Sequence, residues 1–228
     1  MKRVGIIFAM EEELIALKEY LKLEKEYNIF NLTFYEGTIN GVECVLVESG
    51  VGKVNAARTT QILIDNIKVD YIFNIGVAGG VDESLCVGDI VLGEKLVQHD
   101  FDITAFNHEK GYVPNLGGKF INSSDYLIDL SKKNDIPVKY GVIASGDIFC
   151  TDVNMSNKIN TKFNALCVEM EGAAIAQVCH LCKVPFLIIR SISDVPNNEN
   201  HITFDEFLLE ASSKVADYLY NMLNKIEK

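Results

Sequence analysis

The chain has 228 residues, a common size for one α/β domain. A hydrophobic share of 48% supports a large core, and a net charge of −11 argues against nucleic acid or an anionic membrane surface as a partner. The apolar run near the start is too short for a signal peptide or a membrane span, so we expect a cytoplasmic protein. Six scattered cysteines, mostly inside apolar runs, predict buried free thiols in a reducing compartment.

The first half of the chain has the pattern of strands followed by helices. Residues 4–9 predict a strand, and the three glutamates after it open a helix, where the helix dipole favours carboxylates. Asn40-Gly41 between two strand-like runs predicts a β-hairpin. A glycine-rich turn at 49–53 precedes a helix over 54–67. It indicates either a close backbone approach to a ligand or strand, or a plain tight turn.

The second half continues this alternation. Residues 70–77 predict a buried strand, and the adjacent Gly79 and Gly80 permit positive φ and close approach. The segment 99–106 is polar and aromatic together, and it runs into a long loop that is typical of a functional site or an interface. The remaining predicted elements are a strand from residue 88, a helix over 125–133, a strand over 140–145 and a helix over 204–226.

The stretch 168–196 places polar groups where a site is expected. A helix begins near Gly172 and ends before Pro185, and an apolar strand follows. Ligands of α/β sheets bind outside the carboxyl ends of strands, which is where Asp194 stands. Glu171 precedes the helix, where the dipole favours a carboxylate. These two acids are candidates for catalysis, although a helix cap and a loop charge would give the same pattern.

Together the elements predict a single domain over residues 1–228. Strands and helices in alternation, with one hairpin, indicate a three-layer α/β/α fold with a mixed, twisted and largely parallel central sheet. No metal is expected, because Cys179 and Cys182 have CxxC spacing without a second ligand pair, and the segment 99–102 lacks a clear third ligand.

Nine motifs in order resemble one family. They are AMEEE (9–13), SGVGKVNAA (49–57), GVAGG (76–80), VGDIV (87–91), HDFDITAF (99–106), SGDIF (145–149), VEMEGAAIAQVC (168–179), RSISDV (190–195) and FDEF (204–207). Over almost the whole chain the sequence is similar to the nucleoside phosphorylase superfamily, and within it to the 5′-methylthioadenosine/S-adenosylhomocysteine nucleosidases. Each motif alone is weak, whereas the ordered set is specific.

The resemblance implies hydrolysis of the N-glycosidic bond of 5′-thioadenosine nucleosides, in methionine salvage and S-adenosylmethionine recycling. Asp194 would protonate N7 of adenine, and Glu13 would activate the attacking water. Glu171 would hold the ribose hydroxyls, and Arg190 would order the water and Glu13. No metal or cofactor is implied. The protein would be a homodimer in which the loop after residue 106 reaches into the neighbour's pocket.

The resemblance also implies substrate contacts. Met10 and Met170 would pack against the sugar and the thioether, and Phe149 would stack on adenine beside backbone groups near Cys150. The implied 5′-alkylthio pocket comprises Val51, Ile103, Phe106 and Phe204, with Pro114 from the neighbour. The other implied contacts are Val77, Ala78, Gly79, Glu169 and Ser193.

Two positions depart from the family pattern. Phe8 stands where a small residue, often glycine, is usual, and we expect it to narrow the site. Val77 stands where serine is usual, so one hydrogen bond of about 0.5–1.5 kcal/mol is missing. Both departures affect the expected substrate preference and efficiency rather than the class of enzyme.

Three alternatives stay open at this stage. The first is a purine nucleoside phosphorylase on the same fold, which is disfavoured because glutamates and Asn74 stand where arginines would hold phosphate. The second is a nucleosidase for another adenine nucleoside, such as aminodeoxyfutalosine. The third is a non-catalytic nucleoside-binding protein, which the retained acids argue against.

Overall fold

The structure is a computed structural model that describes residues 2–195 and 204–226, with side chains of the final helix described from Phe207 onward. The strands are β1 (Arg3–Phe8), β2 (Lys22–Ile29), β3 (Leu32–Ile39), β4 (Val42–Glu48), β5 (Tyr71–Gly80), β6 (Ile90–Gln98), β7 (Ile121–Asn122), β8 (Lys139–Ser145), β9 (Ala165–Glu169) and β10 (Phe186–Asp194). The α-helices are α1 (Glu11–Lys18), α2 (Lys53–Ile62), α3 (Asp125–Ser131), α4 (Val153–Phe163), α5 (Gly172–Cys182) and α6 (Phe204–Leu223).

The central sheet is mixed, as predicted, and part of it closes on itself. Its order is β10-β6-β8-β9-β5-β1-β4-β3-β2, and β10 also pairs with β5, which closes a ring of five strands. The strand pairs β1–β4, β1–β5 and β5–β10 are parallel. The pairs β6–β10 and β5–β9 are antiparallel. The prediction of a largely parallel sheet was therefore wrong for half of the strand pairings.

Helices cover both faces of the sheet, which confirms the three-layer prediction. Alternate residues of β1 point to opposite faces: Ile6 joins a core with α1, α3 and α6, and Ile7 joins a core with α2 and α5. A third apolar cluster lies under α4. Since both faces are covered there, the central strands β1, β5 and β10 are buried almost throughout, whereas the outer strand β2 is charged and exposed.

The predicted hairpin is confirmed between β3 and β4. Ile39 pairs with Val42, and both turn residues have positive φ, 54° at Asn40 and 79° at Gly41. The helix predicted over 54–67 is instead α2 followed by a π-helical turn at Leu63–Ile67. The sequence patterns did not predict β2, β7, β9 or α4, because none of these segments has a long periodic apolar run.

Two smaller predictions need correction. Gly79 and Gly80 do not have positive φ, because β5 continues through both of them. The cysteines are all free, but only four are buried, whereas Cys86 and Cys182 are exposed. Within the described part of the chain, no helix is long and apolar enough to cross a membrane.

Candidate active site

A pocket of about 200 Å³ lies where the carboxyl ends of β1, β5, β9 and β10 meet. The sheet closure explains why these ends meet: Gly79 of β5 pairs with Asp194 of β10 on one side and with Val168 of β9 on the other. The lining is Ala9, Met10, Glu13, Val51, Val77, Ala78, Gly79, Ile148, Phe149, Cys150, Val168, Glu169, Met170, Glu171, Ser193 and Asp194. Apolar walls with a few convergent carboxylates are typical of a small-molecule site.

Asp194 is a partly buried acid at the end of β10. Ser193 Oγ donates a hydrogen bond of 2.8 Å to its carboxylate. Burial raises the pKa of Asp194, and the Ser193 hydrogen bond opposes this shift. The raised pKa favours the protonated form that a general acid needs.

Glu13 is buried in the first turn of α1. Its carboxylate accepts hydrogen bonds from the backbone N–H groups of Ala9 (2.9 Å), Met10 (3.1 Å) and Val77 (3.1 Å). A Cβ at Gly76 would overlap its Oε1 atom, so glycine is required beside it. Burial raises the pKa of Glu13, while Arg190 and the three N–H groups counteract the shift. These donors hold the carboxylate in one orientation, as a general base requires.

Glu171 stands at the N-terminus of α5 and is linked to the turn before α2. It accepts a hydrogen bond of 2.7 Å from the N–H of Gly52, whose φ is 100°. The glycine-rich turn thus approaches a carboxylate of the protein itself. Burial is the main cause that raises the pKa of Glu171 to about 7. The negative charge of Glu169 adds to this shift, and the positive charge of Arg190 opposes it.

Beneath these acids lies a buried ion pair between Glu169 and Arg190, each with only 2% of its side chain exposed. Glu169 also accepts hydrogen bonds from Ser145 and from the N–H groups of Glu171 (3.1 Å) and Gly172 (2.7 Å). Its oxygens are therefore engaged by the protein, although it borders the pocket. It caps α5 and fixes the backbone of Glu171.

Arg190 is placed differently from the expectation. Its guanidinium donates to Glu169 and to the Asn74 side chain and carbonyl, and the described residues show no hydrogen bond from it to Glu13. It does not line the pocket. Its effect on Glu13 is through charge, since it opposes the rise in the pKa of that carboxyl. Asn74 is one residue that the sequence-based site missed, because it lies inside the apolar strand β5.

The two departures from the family pattern have different outcomes. Phe8 is fully buried in the core beneath α1 and does not line the pocket, so the expectation that it narrows the site was wrong. Val77 does line the pocket. It packs against Leu208 and Ala211 of α6, with Met10 at the edge of the same cluster.

The structure brings most of the predicted site residues together. Those at the pocket are Met10, Glu13, Val51, Val77, Ala78, Gly79, Phe149, Cys150, Glu169, Met170, Glu171, Ser193 and Asp194. Ile103, Phe106 and Pro114 do not line it within one chain, and the side chain of Phe204 lies outside the described residues. Ala9, Ile148 and Val168 were missed, although each adjoins a predicted residue.

In the segment 99–102, both aspartates have partners within the protein. Asp100 binds Lys53, and Asp102 accepts hydrogen bonds from Thr104. Among the described residues, no group of three or more His, Cys, Asp or Glu side chains is placed to hold a metal ion.

Comparisons with known proteins agree with this geometry. The model of the phosphorylase superfamily matches residues 3–224. The 5′-methylthioadenosine/S-adenosylhomocysteine nucleosidase of Staphylococcus carnosus is 42% identical over 228 residues, covering 98% of this chain and 100% of that protein.

Solved structures also match this chain over almost the full length of both chains. The nucleosidase of the same name from S. pneumoniae, with the transition-state inhibitor MT-ImmA, has a TM-score of 0.92 at 39% identity and covers 99% and 100% of the two chains. Futalosine hydrolase of Helicobacter pylori has a TM-score of 0.93 at 34% identity, covering 99% and 98%. The chain thus belongs to the phosphorylase superfamily and, within it, to the 5′-methylthioadenosine/S-adenosylhomocysteine nucleosidases.

Proposed function

We propose that this chain hydrolyses the N-glycosidic bond of 5′-methylthioadenosine and S-adenosylhomocysteine, releasing adenine and the 5′-thioribose. One observation carries the proposal: Glu13, Glu171 and Asp194 come from three distant segments and meet in one pocket. Such a set supplies a base, a sugar-binding carboxylate and an acid at the same place. It accords with membership of a family of N-glycosyl hydrolases.

The chemistry assigns a separate role to each acid. Asp194 protonates N7, so that adenine leaves as a neutral base. Bond cleavage builds oxocarbenium charge on the ribose, which the nearby carboxylate of Glu171 stabilises while it binds the hydroxyls. Glu13 accepts a proton from the attacking water. The two carboxyls differ in their hydrogen-bond partners: Asp194 accepts one bond from a hydroxyl, whereas Glu13 accepts three from backbone N–H groups, which favour its ionised form.

The apolar lining supports the substrate assignments. Met10 and Met170 pack against the sugar and the thioether, and Phe149 stacks on adenine beside the backbone of Cys150. Val51 forms part of the 5′-alkylthio pocket, and Ala78, Gly79 and Ser193 border the base.

Water rather than phosphate is the proposed nucleophile. None of the described residues that line the pocket carries a positive charge, and Arg190 is already engaged by Glu169 and Asn74. A pocket with several carboxylates repels a phosphate dianion.

The experiment is adenine release from methylthioadenosine, S-adenosylhomocysteine and 5′-deoxyadenosine, with and without phosphate. We expect release at a rate that does not depend on phosphate, with a free thioribose as the second product from the two thionucleosides and free 5-deoxyribose from 5′-deoxyadenosine. A ribose 1-phosphate product would identify a phosphorylase instead, and binding without release from these three nucleosides or from aminodeoxyfutalosine would identify a binding protein.

Aminodeoxyfutalosine belongs in the same assay as a competing substrate. Futalosine hydrolase of Helicobacter pylori is as similar to this chain in fold as the nucleosidase of S. pneumoniae, with TM-scores of 0.93 and 0.92. A kcat/KM for aminodeoxyfutalosine above that for methylthioadenosine would assign that activity as the main one.

We further infer a homodimer that acts in methionine salvage in the cytoplasm. The side chain of Phe106 is 75% exposed, and Pro114 is exposed as well, although the resemblance places both in a 5′ pocket. A second copy that receives them would bury this apolar surface. The free cysteines suit a reducing compartment.

A further inference from the structure

Three loops around the pocket are joined by a closed ring of hydrogen bonds among Lys53, Asp100 and Asp147. Lys53 Nζ lies 2.7 Å from Asp100 Oδ1. The Asp147 N–H donates to Asp100 Oδ2 at 2.9 Å, and the Lys53 N–H donates to Asp147 Oδ1 at 2.8 Å. Each residue therefore binds the other two, and we call this set the clip.

The clip connects residues of three motifs, and none of these three residues lines the pocket. Lys53 follows the glycine-rich turn as the first residue of α2, Asp100 belongs to the polar segment after β6, and Asp147 lies in the loop after β8. The side chains of Lys53 and Asp100 are only 17% and 18% exposed, so this pair is shielded more than an ordinary surface ion pair. Lys53 Nζ also donates to Gln98 at 3.1 Å, which fixes the ammonium group from a second side.

The neighbours of the clip are walls of the pocket. The residue before Lys53 is Gly52, whose N–H binds Glu171, and Val51 before it lines the pocket. The residues after Asp147 are Ile148 and Phe149, which also line the pocket. They are 46% and 57% exposed, and the hydrogen bonds of Asp147 hold the backbone just before them.

We propose that Lys53, together with Asp100 and Asp147, is a positioning residue that holds the pocket-lining residues Val51 and Phe149 in place and thereby sets the affinity for the adenine group. This inference rests on the proposed function, since it takes adenine as the group that the pocket holds. It assigns no proton transfer to the clip, because none of its members lines the pocket. The clip acts through the backbone of Gly52 and through the loop that carries Phe149.

The test combines kinetics on methylthioadenosine with calorimetric binding of adenine, which needs no turnover. For Lys53→Met we expect KM and the adenine Kd to rise about tenfold, because the charge-assisted contact between Lys53 and Asp100 is lost. We expect kcat to stay within about threefold of the parent value. Asp100→Asn should also raise KM and the adenine Kd. The carboxylate of Asp100 accepts hydrogen bonds from Lys53 Nζ and from the Asp147 N–H, and the NH₂ group of asparagine would face one of these two donors. The double variant should be no worse than the stronger single variant.

Lys139→Met is the matched control. It removes a lysine whose side chain is 37% exposed from an ion pair of 3.0 Å with Asp89, away from the pocket lining. It should leave KM and the adenine Kd unchanged. Melting temperatures of all variants separate a positioning effect from unfolding.

Two outcomes would contradict the proposal for the clip. One is an unchanged adenine Kd in both Lys53→Met and Asp100→Asn, and the other is a loss of kcat that follows a loss of folded protein with KM unchanged. If the parent protein does not bind adenine at all, the result contradicts the proposed function itself. If the parent binds adenine and the variants bind equally well, only the clip fails.

Discussion

Gly79 and Asp194 are paired across β5 and β10, and a Cβ on residue 79 would lie 3.2 Å from Asp194 Oδ2. The absence of a side chain at residue 79 therefore allows the acid to occupy its position at the pocket. This relationship links the register of the sheet to the geometry of catalysis.

Gly79→Ala should lower kcat by about tenfold, because a displacement of a few tenths of an ångström misaligns the acid with N7. Gly118→Ala is the matched control, since nothing lies within 4 Å of the Cβ that it adds. Steady-state kinetics on methylthioadenosine provide the measurement. Equal kcat values for the two variants would show that the site accommodates the methyl group without moving Asp194.

Asp194→Asn should lose about 10²–10⁴-fold in kcat while it keeps much of the substrate affinity, because an amide cannot protonate N7. The loss should be smaller with a nitrophenyl riboside, whose leaving group departs without protonation. Glu13→Gln is the control, since it should be equally impaired on both substrates because each needs an activated water. If Asp194→Asn loses the same factor on both substrates, another residue is the acid.

The stability of the protein should depend on Glu171 between about pH 5 and about pH 8. Its pKa is raised from 4.5 to about 7 in the folded protein, so the native state retains a proton that the unfolded chain has lost. The corresponding contribution to the free energy of unfolding is complete below pH 4.5 and is lost as the pH rises through about 7. Urea unfolding should show a decline on the order of 3 kcal/mol that Glu171→Gln lacks. Parallel pH profiles for the two proteins would contradict the raised pKa.

Val77→Ser should keep nucleosidase activity, and we expect the added hydroxyl to raise kcat/KM. The same change should cost about 1–2 kcal/mol of stability, because the methyl groups of Val77 pack against Leu208 and Ala211. Val77→Ala separates the two effects, since it removes the packing without adding a hydroxyl. An inactive but folded Val77→Ser would mean that the site is arranged around the valine.

Phe106→Asp should weaken the dimer and raise KM, if the exposed ring enters the neighbour's pocket. Phe30→Asp is the matched control, because Phe30 is 70% exposed in the turn between β2 and β3. Light scattering at assay concentrations measures the association. A parent protein that is fully active as a monomer would exclude this arrangement.

Local patterns were sufficient to predict much of the fold. The hairpin at Asn40-Gly41 follows from two positions that need positive φ, and α6 follows from an apolar stripe with helical spacing. The short strands β7 and β9 have too few residues for a period to be detected. Their existence depends on pairing with β6 and β5, which are distant in sequence.

The sequence by itself supplied the candidate acids, because Glu13, Glu171 and Asp194 each stand at an element end where a carboxylate is favoured or a ligand is expected, and the family resemblance implied a role for each. Only the tertiary structure decided that these acids line one pocket. The closure of the sheet at Gly79 brings β9 and β10 to one place, and the buried pairing of Glu169 with Arg190 directs that arginine away from Glu13. Both depend on contacts between residues far apart in the chain, and neither a local period nor a motif encodes such contacts.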